Sequence, residues 1–321
     1  MGHASSWTLP VRAGVSLVTS LFMLLAGLGL VAAVGVVVAM LLSTYAAEFL
    51  ALGQVTVPEE WWWVLWAVAG SIAVGLASLT VVRFVRSDRE RLVANTRPPG
   101  DVSVERQLER TVDRLALQLG LKPPTVRVRE MSQPLAYTTV QPREEVTHRR
   151  SEADFIVVSS GLLELLTADE LRAVLAHELA HIANHDSRLY TMIRLPLLSA
   201  ETLLPTDGRP SNLIELVAAL LASVAAINVG IFARSRELAA DRAAALLTGN
   251  PAALASALDR ISDESTATPS EDLRQYARTT SSIATVPVTK NYWGASLTTL
   301  HPSLESRLAQ LQAIEAEAAT A

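Results

Sequence analysis

Thr167-Ala-Asp-Glu170-Leu171-Arg-Ala-Val174-Leu175-Ala-His177-Glu178-Leu179-Ala-His181-Ile182 is the stretch from which the architecture can be worked out. Thr167 followed three residues later by Glu170 is a capping-box pattern, and Leu171, Val174, Leu175 and Leu179 recur at helical spacing, so a helix opens here. On that helix His177 and His181 lie ~40° apart around the axis and ~6 Å along it, so both imidazoles can reach one ion with bonds of ~2.0–2.1 Å. Glu178 borders the same face. It is too close in sequence to be a comfortable third ligand, but it can take a proton from an attacking water and later deliver one to a leaving amine. A surface helix carries this pattern by chance now and then, and the capped helical context argues against coincidence.

Cysteine is absent from the 321 residues, which removes disulfides, thiolate nucleophiles and cysteine-ligated zinc. Any metal must sit on histidine and carboxylate. A catalytic zinc keeps three protein ligands and one open position, so a third ligand must come from elsewhere. His185 continues the series but lies ~6 Å beyond His181 along the axis, whereas the ion belongs between His177 and His181. Position 187, where one metalloprotease pattern places a third histidine, is Ser187. The better candidate is Glu237, in Arg234-Ser-Arg236-Glu237-Leu-Ala-Ala-Asp241, which reads as the start of another helix rich in Ala and Leu. One turn on, Asp241 can accept the N–H of a liganding imidazole and fix its tautomer. By itself this run suits a solvated charged face; beside the histidine pair it reads as a ligand.

Half of the chain is hydrophobic, and 35 residues between Arg12 and Glu48 carry no charge, which makes residues 15–42 a membrane span. The run is too long for the apolar part of a signal peptide. A second span is expected over 61–82, opening with Trp61, Trp62, Trp63 and Trp66 at headgroup level. Arg83, Arg86, Arg89 and Arg91 follow it, while Glu48, Glu59 and Glu60 lie in the connecting loop, so the loop is expected outside and both ends in the cytoplasm. Residues 1–95 thus read as a membrane anchor and 96–321 as a cytoplasmic domain. The net charge of −5 with scattered positive residues speaks against nucleic acid as a partner.

The rest is expected to be mainly α with a small β-sheet. Residues 102–119 have helical periodicity, 125–129, 134–140 and 154–158 are short β-like runs, and 302–319 reads as a final helix. Residues 141–153 read as an exposed loop and 262–280 as a flexible polar insertion. Two further apolar stretches, 189–205 and 216–233, flank a turn-rich segment. If His177 and Glu237 share one ion, the chain between them crosses the bilayer an even number of times, so these stretches form a second hairpin or do not span. Arg194 and Glu201 oppose insertion, at ~2.5–3.5 kcal/mol for a central charge.

Taken together, Phe155-Ile-Val-Val-Ser-Ser-Gly-Leu-Leu163, the metal helix 171–182, Arg236-Glu237 with Asp241, and His301-Pro302-Ser303 with Arg307 resemble the HtpX family of membrane metallopeptidases, relatives of CaaX prenyl proteases and mitochondrial Oma-type proteases. The resemblance extends over roughly residues 10–310. It implies a gluzincin-like zinc peptidase domain with one Zn2+ per chain, held by His177, His181 and Glu237, in a multi-pass protein of the cell (inner or plasma) membrane. It favours four spans. It also implies that His301 and Arg307 lie near the zinc, with His301 available to the developing oxyanion, and that Leu135, Ala136 and Tyr137 belong to an edge strand contacting substrate. The family's Asn-Ala-Phe-Ala-like strand reads Leu135-Ala-Tyr-Thr138 here, and its second proline after the histidine is Ser303, which puts substrate preference in question. The implied activity is endoproteolysis of unfolded or membrane-associated polypeptides at the cytoplasmic face, in stress-response quality control. The rival expectations are cleavage of prenylated C-terminal peptides and an idle scaffold that keeps zinc for structure. Oligomeric state is not legible.

Overall fold

The computed structural model describes residues 8–53, 58–100, 103–140, 154–201, 203–204, 210–266 and 302–320. Nine helices and four strands are defined among them: α1 Thr8–Leu52, α2 Glu59–Val93, β1 Thr96–Arg97, α3 Ser103–Gln118, β2 Thr125–Arg129, β3 Ala136–Val140, β4 Asp154–Ser159, α4 Ser160–Leu165, α5 Ala168–Ala183, α6 Asp186–Glu201, α7 Leu213–Thr248, α8 Pro251–Thr266 and α9 Leu304–Ala319. The mainly α architecture with a small sheet is as expected. Two compact units are present, one comprising the described parts of Arg86–Met192 and Val229–Ala321, the other Gly14–Val85 and Ile193–Asn228.

In the second unit Val18, Phe22, Trp63 and Leu76 point outward with more than half of their surface exposed, a distribution that suits lipid rather than water. Glycines let α1 and α2 approach closely: a Cβ at Gly35 would lie 2.7 Å from that of Ala73. Polar groups fasten the remaining segments to α1, since Asn228 Nδ2 donates to Ser20 Oγ (2.8 Å) and to the Ser16 carbonyl (3.1 Å). Ser20 Oγ in turn donates to the Ile193 carbonyl at 3.2 Å. Among the described residues, three helices are long and apolar enough to cross a bilayer, at Gly14–Leu50, Glu59–Val93 and Leu213–Thr248.

In the first unit the sheet order is β1-β2-β4-β3, with β2 and β4 parallel and the outer pairs antiparallel. β2 and β4 supply Val126, Val128, Ile156 and Val158 to a core completed by Leu108 and Val112 of α3, Val174, Leu175 and Leu179 of α5, Leu254 and Ile261 of α8, and Leu311 of α9. The alternating pattern of β2 follows from this, because one face meets the helices. Two expectations change. Arg234 does not begin a helix; α7 is one uninterrupted helix of 36 residues that includes the apolar run before it, because no proline falls between Leu213 and Thr248 and the one glycine there, Gly230, is accommodated within the helix. The segment read as an insertion over 262–280 is helical at its start, since α8 continues to Thr266; its remainder, like the loop 141–153, lies outside the described residues.

Candidate metal centre

The capping box forms as the sequence suggests: Glu170 Oε2 accepts from the Thr167 N–H at 2.8 Å, and Thr167 Oγ1 accepts from the Glu170 N–H. Arg260 and Ser256 of α8 also donate to the Glu170 carboxylate, at 2.8 and 2.6 Å, so the cap fastens α5 to α8. Past Asn184 the chain turns sharply, His185 taking a left-handed φ of 56°. His185 is therefore off the helix, and His177, Glu178 and His181 are left fully buried on it.

Glu237 arrives from α7. His177 Nε2 and His181 Nε2 stand 3.1 Å apart, His181 Nε2 lies 3.3 Å from Glu237 Oε1, and His177 Nε2 lies 3.7 Å from Glu237 Oε2. Donor atoms on a tetrahedral ion with bonds of ~2.0–2.1 Å are separated by ~3.3 Å, so these three residues have the right spacing to share one. The tautomers point the same way. His177 Nδ1 is 2.9 Å from Asp241 Oδ1 and His181 Nδ1 is 2.8 Å from Asp186 Oδ2. A carboxylate partner assigns the proton to Nδ1, which leaves two Nε2 lone pairs facing each other at a distance tolerable only with a cation or proton between them.

Charge makes the same demand. With Glu178, Asp186, Glu237 and Asp241 ionised against Arg236 and Arg307, the cluster carries −2, which one divalent ion balances. Without a metal the site recruits protons instead. Burial lowers the His177 imidazole. It acts in the same sense on His181, but hydrogen bonds to Asp186 and Glu237 outweigh it and hold that ring up to about 10. Burial pushes the Glu178 carboxyl up to about 8, and neither of its oxygens has a hydrogen-bond partner among the described residues. An ionised carboxylate so placed needs a proton, a water or a nearby cation.

Behind the ligand atoms, Arg307 of α9 donates to Asp241 through Nε at 2.7 Å and Nη2 at 2.6 Å, and its Nη1 lies 3.7 Å from Glu237 Oε2. Asp241 thus connects the C-terminal helix to His177. Asp186 was not anticipated from the sequence. Arg236 Nε donates to it at 2.6 Å, matching on the His181 side what Arg307 does on the His177 side. Its signal was present: an acidic residue just beyond the end of a metal helix can fold back on the last histidine. Leu135, Ala136 and Tyr137 are buried, and β3 is the outer strand of the sheet, packed against α5. His301 lies outside the described residues, immediately before Pro302 and the Ser303 cap of α9.

Residues 103–315 match the profile of peptidase family M48. Protease HtpX homolog 1 of Streptomyces coelicolor is 34% identical over 228 residues, covering 66% of this chain and 71% of that protein. Protease HtpX homolog of Moorella thermoacetica is 34% identical over 275 residues, covering 79% and 88%. Among solved structures, Ste24p of S. mikatae aligns with a TM-score of 0.44 and 18% identity over 74% of this chain and 57% of that one.

Proposed function

Because the chain belongs to peptidase family M48, and is thus a metallopeptidase with membrane-spanning helices, we propose that it is a zinc endopeptidase in which His177, His181 and Glu237 hold the metal and Glu178 is the general base. One observation carries this reading: three ligand atoms of these residues lie within 4.8 Å of one another beside the unpartnered carboxylate of Glu178. Two imidazoles and one carboxylate suit zinc, and the absence of cysteine leaves softer sites out. A bound zinc ion would supply Lewis-acid polarisation of the scissile carbonyl and acidify the attacking water.

The chain's own residues do the rest. Glu178 takes a proton from the water and passes it to the leaving amine nitrogen. Asp241 and Asp186 hold the two rings with Nε2 toward the ion, and Arg307 holds Asp241. His301, just ahead of the α9 cap, donates to the oxyanion that develops on the carbonyl oxygen. An extended substrate adds to the sheet along β3, at Ala136 and Tyr137, with Leu135 just ahead of the strand.

The substrates are unfolded or membrane-associated polypeptides, cleaved at the cytoplasmic face of the cell membrane in protein quality control. The arginines at the end of α2 support this orientation. A second membrane hairpin within 189–233 belongs to this reading, because the chain between His181 and Glu237 has to enter and leave the bilayer from one side if the two are to meet; α7 is apolar enough for one leg, and the other falls to the shorter stretch that carries Arg194 and Glu201. The test compares wild type with Glu178→Gln in detergent. Zinc content is expected to be retained and cleavage of an unfolded protein to fall ~100- to 10,000-fold. A variant that cleaves as well as wild type would overturn the assignment of Glu178.

A further inference from the structure

We propose that Arg129 and Tyr137 are positioning residues that latch strand β3 to the end of α2 and so set where substrate lies beside the metal. The proposal rests on the reading of β3 as the substrate strand.

α2 stops at Val93, and Asn95, with a left-handed φ of 59°, turns the chain into β1. The last carbonyls of a helix have no partner within it and carry the negative end of its dipole. Arg129 Nη2 meets them, donating to the Leu92 carbonyl at 2.7 Å and to that of Ala94 at 2.9 Å. The Tyr137 hydroxyl donates to the same Leu92 carbonyl at 2.7 Å and accepts from Arg129 Nη2 at 3.2 Å. Arg129 and Tyr137 are both buried, and Leu92, Met131, Leu135, Tyr137 and Val157 form a small core of their own. The backbone of Tyr137 is paired with Val157 while its side chain is held by the helix end.

Among the described residues β3 has a neighbouring strand on one side, β4, so its position depends on β4, on α5 and on this latch. A substrate that hydrogen-bonds to an edge strand inherits that strand's register and depth, and a slip of one residue presents the opposite face. Arg129 and Tyr137 thereby act on substrate through β3, without touching the reacting atoms.

Tyr137→Phe keeps the ring and removes the hydroxyl. In the full chain in detergent, zinc content is expected to be unchanged, KM for an unfolded polypeptide to rise ~3- to 10-fold with kcat nearly constant, and amide exchange of β3 to speed up. Arg129→Lys, which retains a cation with a less extended fork, is expected to give an intermediate KM. Unchanged β3 exchange would overturn the latch and leave the substrate-strand reading standing. Faster exchange with unchanged KM would sink that reading and the proposal with it. A lower melting temperature and smaller active fraction at unchanged KM would reduce both residues to packing and overturn the proposal.

Discussion

Replacing Arg307 by methionine removes the guanidinium that closes the chain from α9 through Asp241 to His177. Arg307 is 3% exposed and makes a two-pronged contact with Asp241 at 2.7 and 2.6 Å. Taking one partner from a buried pair leaves the other charge uncompensated, at a cost of ~3–5 kcal/mol. For a folded unit of this size each kcal/mol lowers Tm by ~2–4 °C, so the melting temperature falls by ~6–20 °C. Asp241 Oδ1 is 2.9 Å from His177 Nδ1, and an outer partner that loses its support weakens metal affinity by ~10- to 100-fold. Thermal melts of the metal-loaded protein and competition with a zinc chelator measure the two effects separately. Adding Asp241→Asn to Arg307→Met is expected to recover part of the lost stability, because the stranded charge is gone, while zinc affinity stays low. A fall in melting temperature with unaltered zinc affinity would refute the claim that Arg307 acts on the metal through Asp241.

Gly161→Ala is expected to destabilise the protein by ~1–3 kcal/mol, read by thermal unfolding, because the new Cβ would run into the Ser132 carbonyl and backbone must move. In metal-free protein the Glu178 carboxyl sits near 8 against an ordinary 4.5, so between those values the native state holds a proton that the unfolded chain releases. Stability attributable to Glu178 therefore falls as pH rises from about 4.5 to about 8, and melts of chelated wild type should show a steeper fall over that window than Glu178→Gln, which keeps only the His181 contribution above about 6.5. The chain has no cysteine, which makes single cysteines at exposed Glu59 and Glu109 clean reporters of topology. An impermeant thiol reagent added to intact cells is expected to label the first and spare the second; the reverse pattern would invert the proposed orientation.

The metal helix was legible because its determinants are local: the cap at Thr167 and Glu170, the apolar spacing and the histidine pair all lie within one short run. Asp241 could be placed behind one of the imidazoles because it lies one turn from Glu237; that the ring is His177 comes from the fold. What depends on a sharp turn of the chain or on a distant segment was not legible in the same way. Asp186 reaches His181 only because the chain reverses at His185, and no periodicity announces that turn. Arg129 reads as one of the polar positions of an alternating strand, yet it is buried, since the carbonyls that receive it belong to a helix end 37 residues earlier. The start of a helix at Arg234 was misplaced because a change from apolar to charged composition resembles a boundary, whereas an α-helix tolerates such a change wherever no breaker interrupts it.

The most direct test of the zinc assignment is metal analysis with zinc-edge X-ray absorption on the purified full chain, run beside Glu237→Ala and His185→Ala. One zinc per chain is expected, with two imidazole nitrogens and a carboxylate oxygen at ~2.0–2.2 Å, lost in Glu237→Ala and unchanged in His185→Ala. Zinc bound equally well and with the same spectrum in Glu237→Ala would contradict it.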